Sequence, residues 1–405
     1  MKIVVQKFGG TSVATPSARN QVLKRIVQAK ADGQSPVVVL SAIGQKGDPY
    51  ATDTLLELIN DAGPSVPKRE RDLLLSCGEV ISCALLSALL VGKGYPARAL
   101  TGGQAGIITN TEFGNARIVE VLPEPLLALL KKGIIPVVAG FQGRTPAGDI
   151  TTLGRGGSDT TAAALGAALD AETVEIFTDV DGIMTADPHI VGEAHTLATL
   201  TYEEVAQLAY QGAKIIHPRA LELAKQYSIP IKVRSTFSDQ PGTLVAHGVH
   251  SPGRLHLGPD RLITGIAHLP NIAQIKVQFA ANDKQRETEL FESLAQAGVS
   301  IDLINVFPET KIFTISESSL PAARHALAAA KFEAAITDGL AKVSVVGMGM
   351  RGVPGVMAKV VNILNSTGVE ILQTADSHAT ISCLVRASDT QKALCALHKG
   401  FNLGK

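Results

Sequence analysis

Lys2-Ile3-Val4-Val5-Gln6-Lys7-Phe8-Gly9-Gly10-Thr11-Ser12 opens the chain with a β-branched run that breaks at two glycines and turns into a helical pattern. Thr15 can cap that helix and Pro16 suits its first position, which predicts a helix over Pro16–Asp32. The same alternation continues. Strands are expected at Lys2–Phe8, Pro36–Ala42, Ile134–Gly140, Val174–Thr178 and Pro230–Ser235. Helical stretches separate them, among them Lys68–Val91, where Leu74, Leu75, Val80, Ile81, Leu85 and Leu89 recur. Strands alternating with long helices imply an α/β domain on a largely parallel sheet.

Composition removes several classes of function. The 405 residues are enough for two or three domains. Lys+Arg (37) balance Asp+Glu (37), so no basic field is available for nucleic acid or an anionic membrane. Aromatics make up 4% and Trp is absent, which argues against a stacking platform for single strands. The longest apolar stretch, around Cys83 to Gly92, is too short to span a bilayer. Cys77, Cys83, Cys383 and Cys395 form no CxxC pair and read as reduced structural thiols. A cytoplasmic protein is expected.

Between Ser238 and Asp260 the texture changes to Gly, Pro and His, as in a linker. Beyond it lies a repeat. A shift of 70 positions lays Gly298-Val299-Ser300-Ile301 on Gly368-Val369-Glu370-Ile371, Leu294 on Leu364, Ile315 on Val385 and Ala326-Leu327 on Ala396-Leu397. Each copy reads strand, helix, Gly-Val turn, strand, strand, helix, a small βαββαβ unit.

Three motifs could carry chemistry. In Lys7-Phe8-Gly9-Gly10-Thr11-Ser12 the glycines let backbone N–H groups approach an anion, and Lys7 adds a mobile cation. It is no P-loop, since the GxxxxGK[ST] spacing is missing, and alone it reads as a tight turn. In Thr151-Thr152-Leu153-Gly154-Arg155-Gly156-Gly157-Ser158-Asp159, Ser158 and Asp159 could simply cap a helix. Capping does not explain three glycines around an arginine, whose fork suits a carboxylate or phosphate. The third, Phe177-Thr178-Asp179-Val180-Asp181-Gly182-Ile183-Met184-Thr185-Ala186-Asp187-Pro188, begins at a strand end, where α/β sheets bind ligands. Its DxDG is not a calcium loop: Met184 stands where Gly is needed and Ile190 where Glu is needed. Glu79 and Lys214 are ambiguous alone. HExxH and GxSxG are both missing, so a zinc hydrolase and an α/β-hydrolase are unsupported.

Lys7–Val13, Leu153–Thr160, Thr178–Gly182 and Thr185–Pro188 together resemble the aspartokinase family of the amino-acid kinase superfamily, in the family's order and over essentially the whole chain. The resemblance implies a three-layer αβα kinase domain over residues 1–236, a linker at 237–262 and two ferredoxin-like ACT modules at 263–335 and 341–405. It implies transfer of the γ-phosphoryl of Mg-ATP to the side-chain carboxylate of L-aspartate, a step toward lysine, threonine, methionine and diaminopimelate. By motif, Lys7 would bridge the reacting groups, Gly9, Gly10 and Thr11 would hold phosphate, and Asp159 would orient Lys7. Arg155 would clamp the α-carboxylate of aspartate and Glu79 its ammonium, with Thr52 and Ser158 also on the substrate. Thr178, Asp179, Met184, Thr185, Asp187, Pro188 and Lys214 would line the nucleotide pocket. Mg²⁺ would be held by ATP, with no side-chain ligands.

Two positions depart from the pattern. His189 follows Asp-Pro where many relatives have Arg, and Gln45–Ala51 adds residues found in only some of them. That loop resembles the diaminopimelate-inhibited branch of sporulating Gram-positive bacteria. An ionised carboxylate nucleophile needs no general base, so cations and glycines without a catalytic His or Cys fit acyl-phosphate chemistry. An amino-acid effector is expected at Val353, Pro354, Gly355 and Val356 with Asp376 and Ser377, the alternative being that this turn packs at a dimer interface, and the modules are expected to pair in a homodimer or higher homo-oligomer. The rival readings are another acyl-phosphate-forming amino-acid kinase and a catalytically inactive amino-acid sensor.

Overall fold

The computed structural model describes every residue except Pro64, Lys214, Gly248, Pro252, Gly253, residues 257–260, Ala281, Asn282, Arg351 and Lys405. It divides into two units. The first comprises Met1–Ile183, Thr196–Ala206 and Lys214–Gly258; the second comprises Met184–His195, Gln207–Ala213 and Pro259–Lys405.

In chain order the first half runs β1 (Ile3–Phe8), α1 (Gly10–Val13), α2 (Pro16–Ala31), β2 (Ser35–Leu40), α3 (Thr52–Asp61), α4 (Lys68–Gly92), β3 (Ala97–Leu100), β4 (Ile107–Thr109), β5 (Ile118–Val121), α5 (Glu124–Lys131), β6 (Ile135–Ala139), β7 (Gln142–Arg144) and β8 (Ile150–Thr152). Then come α6 (Gly157–Ala168), β9 (Thr173–Thr178), β10 (Thr199–Leu200), α7 (Tyr202–Tyr210), α8 (Pro218–Gln226), β11 (Ile231–Ser235), β12 (Thr243–Val245) and the hairpin β13 (Val249–Ser251) with β14 (Arg254–His256).

Among the described residues, eight strands form the main sheet in the order β10-β12-β11-β9-β1-β2-β6-β3. All its pairs are parallel except β11 with β12. Val37–Leu40 and Ile135–Ala139 are buried throughout, as strands covered on both faces must be. Thr15 does cap α2, accepting from Ala18 N–H. The Gly/Pro-rich stretch read as linker is partly structured, because β12 adds to the main sheet. A smaller sheet, β5-β4-β7-β8, lies in the same unit.

α4 departs from the periodicity expected of it. Its buried face is Asp72, Leu75, Ser76, Gly78, Glu79, Ser82, Cys83, Leu86, Ser87 and Leu90, whereas Leu73, Val80, Ile81 and Leu85 are exposed. The polar face turns inward because it serves the site described below. α4 is also longer than the Cys83–Gly92 stretch: by length and composition it could cross a membrane, with mean hydropathy 2.1 and half of that window buried. The four cysteines are unpaired, with Cys83 and Cys383 buried and Cys77 and Cys395 at the surface.

The second unit carries β15 (Gly265–Gln278), α9 (Lys284–Gln296), β16 (Asp302–Val306), β17 (Thr310–Ser316), α10 (Leu320–Ala329), β18 (Ala334–Val346), α11 (Val356–Ser366), β19 (Gln373–Asp376), β20 (Thr380–Arg386) and α12 (Thr390–Gly400). The repeat is visible in its packing. Leu294 and Leu364, Val299 and Val369, Ile315 and Val385, and Leu327 and Leu397 are all buried. Gly298 (φ +71°) and Gly368 (φ +68°) both end a helix in the left-handed region that favours glycine. The copies share one sheet, β16-β17-β15-β18-β20-β19. Residues 272–278 of β15 pair with β17 of the first copy, and Gly265–Leu269 pairs with Lys342–Val346, the half of β18 that also holds β20.

Candidate active site

Phe8, Leu40 and Ala139 lie side by side at the carboxyl ends of β1, β2 and β6, the end of an open α/β sheet where ligands bind. Lys7, one residue earlier on β1, places Nζ 2.8 Å from Asp159 Oδ1, with both side chains largely buried. Gly10 must be glycine: a β-carbon there would come within 2.7 Å of the Ala42 and Gly44 carbonyl oxygens. Gly44 N–H in turn donates to Gly10 O at 3.1 Å. The helix after the two glycines is a single turn, α1, followed separately by α2.

Ala42 joins this loop to Glu79. Its N–H donates to Glu79 Oε1 at 3.1 Å, while Glu79 Oε2 is buried without a partner. Burial pushes the Glu79 carboxyl up to about 8, against the pull of the backbone N–H groups of Glu79 and Ala42. A half-satisfied buried carboxylate facing the sheet edge is prepared for a cation. Ser82 Oγ, one turn on, donates to Ser41 O and ties α4 to the end of β2.

The glycine-arginine loop lies between β8 and α6. Gly154 and Gly156 take φ of +74° and +68°, and the exposed Arg155 has no partner among the described residues. Ser158 is buried against Gly140, where any β-carbon would meet it at 2.8 Å. The structure thus gathers Lys7, Gly9, Gly10, Glu79, Ser158 and Asp159 about the ends of β1, β2 and β6.

Other expected residues stand apart or are engaged elsewhere. Thr52 is the first residue of α3. The 45–51 insertion is an ordered turn: Gln45 N–H donates to Asp48 Oδ2 and Gly47 N–H to Thr54 Oγ1. Thr178 Oγ1 donates to Asp179 Oδ1 at the end of β9. Met184, Thr185, Asp187 and Pro188 belong to the second unit. There the Thr185 hydroxyl accepts from His195 N–H and meets His398 Nε2 at 2.9 Å, and Asp187 Oδ1 accepts from His189 N–H. Lys214 lies outside the described residues. In the second unit, Val353–Val356 lead into α11, with Gly355 at φ +92°. Gly347 N–H, just after β18, bonds Ala379 O in the hairpin that carries Asp376 and Ser377.

Asp72 was missed by sequence reasoning. It is fully buried, and its Oδ2 accepts from Gly114 N–H (2.9 Å) and Thr152 N–H (2.7 Å), its Oδ1 from Thr152 Oγ1 (2.8 Å). It anchors β8 just before the glycine-arginine loop. Its signal was available: Asp72 precedes Glu79 by two helical turns on the same face. Asp72→Ala strands the two buried donors of Thr152 and frees the more exposed Gly114 N–H, so we expect a loss of about 2 kcal/mol, read as a lowered urea midpoint of the first unfolding transition. An unchanged midpoint would remove Asp72 from this role.

Comparison with known proteins follows the same division. Residues 2–235 match the amino acid kinase family model and residues 335–399 an ACT domain model. Aspartokinase 1 of Bacillus subtilis is 49% identical over 408 residues, covering all of both chains. An aspartokinase of Mycolicibacterium smegmatis is 42% identical over all of this chain and 97% of its own. Among solved structures, Escherichia coli aspartokinase III in complex with aspartate and ADP (R-state) superposes with a TM-score of 0.78 at 27% identity, covering 98% of this chain and 99% of that one. The same enzyme with lysine and aspartate (T-state) gives 0.77 at 28%, covering 99% and 100%. Identity of this extent along the whole length, with the amino acid kinase model matched over residues 2–235, establishes that the chain belongs to the aspartokinase family.

Proposed function

We infer that this chain is an aspartate kinase, transferring the γ-phosphoryl group of ATP to the β-carboxylate of L-aspartate to give 4-phospho-L-aspartate and ADP. The observation that carries the reading is full-length similarity to aspartokinases in a chain whose sheet edge holds a lysine–aspartate pair beside a half-satisfied buried carboxylate. The E. coli relative solved with aspartate and ADP supports both ligand assignments.

The chemistry follows from charge. The β-carboxylate is ionised at neutral pH. One of its oxygens attacks the γ-phosphorus while the bond from that phosphorus to the β-phosphate oxygen breaks, and no proton moves. The barrier is repulsion between anions, together with alignment. Lys7 spans the two reactants, held in place by Asp159. Gly9, Gly10 and Thr11 present N–H groups to phosphate. Arg155 grips the α-carboxylate, Glu79 the ammonium, and Thr52 and Ser158 border the amino acid. Thr178, Asp179, Met184, Thr185, Asp187, Pro188 and Lys214 take the nucleotide. Mg²⁺ bound with ATP would supply further charge neutralisation. Asp159 is engaged by Lys7.

The site residues 1–236 form the catalytic part, and the two repeats (263–335 and 341–405) regulate it in response to an end-product amino acid: lysine, threonine or diaminopimelate. The protein acts in the cytoplasm, as a homodimer or larger homo-oligomer paired through the repeats. Hydroxamate trapping with ATP and aspartate, glutamate, acetylglutamate or carbamate tests the activity. Aspartate should be the preferred acceptor; preference for another overturns the reading. Titrating each end-product into the same assay identifies the effector. Gly355→Val has open space but forces a β-branched residue to φ +92°, a strain of about 1–3 kcal/mol. Half-inhibition should then need about tenfold more effector. Unchanged inhibition by all three amino acids would count against this turn as the effector site.

A further inference from the structure

α8 starts at Pro218, and its N-cap is a histidine, a rare choice for that position. His217 Nδ1 accepts from Arg219 N–H at 3.3 Å, which places the neutral ring's proton on Nε2. The ring has a second neighbour. A β-carbon built on Gly156 would stand 2.1 Å from His217 Cβ and Cγ, so the imidazole rests directly on that left-handed glycine. His217 N–H also reaches Asp159 Oδ2 at 3.4 Å, and the Arg219 guanidinium donates to Leu153 O at 3.1 Å. The start of α8 therefore touches the loop 153–159 at its beginning, middle and end. Asp159 Oδ1 is the oxygen that holds Lys7.

We propose that His217 is a positioning residue for phosphoryl transfer, its ring fixing Gly156 so that Arg155 on one side and Asp159 on the other keep the geometry the reactants require. It touches neither reactant and acts through the loop. Burial holds the imidazole below its ordinary value; the Asp159 carboxylate pulls it up, Arg219 pushes it down and Glu222 pulls it up. A neutral ring can both accept from the helix and lie against the glycine. This inference rests on the aspartate kinase reading.

Two variants separate the ring from the cap. His217→Asn keeps a capping acceptor and removes the ring; His217→Phe keeps a ring and removes the acceptor. With melting midpoints near the parent's, His217→Asn should raise the KM for aspartate and lower kcat, each by about tenfold, leaving the KM for ATP within about twofold. Amide hydrogen exchange at 154–158 in the ligand-free protein should quicken. His217→Phe should restore both readouts most of the way. Gly156→Ala drives a methyl into the ring and should mimic His217→Asn. Combined with His217→Ala it should cost no more than the worse single change, a check that survives if the Phe variant misfolds. Parent kinetics and parent exchange in His217→Asn overturn the proposal, as does full additivity in the Gly156→Ala and His217→Ala pair. A parent that does not phosphorylate aspartate would sink the kinase reading instead, while the exchange data would still report on the loop.

Discussion

Lys7→Ala should lower kcat for aspartate phosphorylation by about a thousandfold, while the protein stays folded. Lys7 is the cation on the central strand, and its Nζ is held 2.8 Å from Asp159 rather than left to wander in solvent. A fixed positive charge costs no reorganisation when two anions are brought together, so its removal is felt mainly in the transition state. The fold should survive because Lys7 lies at the strand's carboxyl end, and the β1 core (Val4, Val5, Phe8) is untouched. Steady-state kinetics with a thermal melt decides it. A folded Lys7→Ala protein working within tenfold of the parent rate would mean that charge neutralisation comes from elsewhere, and the division of roles would have to be redrawn.

Glu79 gives the second large effect, and it should appear as a pH profile. With its carboxyl near 8 in the ligand-free protein, Glu79 is mostly protonated at pH 7. Binding an ammonium favours the ionised form, so each aspartate bound displaces one proton. The apparent affinity for aspartate should therefore rise about tenfold per pH unit from 6 toward 8, then level off. Glu79→Gln should abolish this slope and raise the KM by about a hundredfold, because a charge-assisted contact in a dry site is lost. The stability linkage has the opposite direction. Below 4.5 both folded and unfolded chains hold the proton; between there and about 8 only the folded chain does. The ligand-free protein thus loses stability as pH rises through that window. A flat KM profile between pH 6 and 8 would show that Glu79 is not the ammonium partner.

The parts of this molecule legible in the sequence were those governed by short-range rules. All five expected strands of the main sheet formed within a residue or two, because β-branched runs between turn residues leave few alternatives. Thr15 and Pro16 started α2 as a cap and a first-turn proline should. The repeat was readable too, since its glycines terminate helices and its matched apolar positions fill the cores. What stayed hidden depended on contacts distant in sequence. The short strands β4, β5, β7 and β8 carry too few residues for a pattern. Helical periodicity correctly placed α4 but gave its faces wrongly: Val80, Ile81 and Leu85 point outward, because the inner face is reserved for Asp72, Ser76, Glu79 and Ser82. The glycine-arginine loop stood out by composition, yet its supports did not. Asp72 is 80 positions from Thr152 and His217 is 58 from Asp159, and nothing local betrays either pairing.

Strand β15 has one more consequence. Its opening residues complete the later repeat while its remainder serves the earlier one. Neither half of the sensor can be excised at a sequence boundary and keep its full complement of strands: a fragment beginning after residue 335 would lack the ribbon beside β18, and one ending there would leave that ribbon bare. The pair should unfold in a single cooperative step, and whatever passes from one copy to the other along β15 must cross the irregular pairing between Leu269 and Ile272, where Asn271 takes φ +58°.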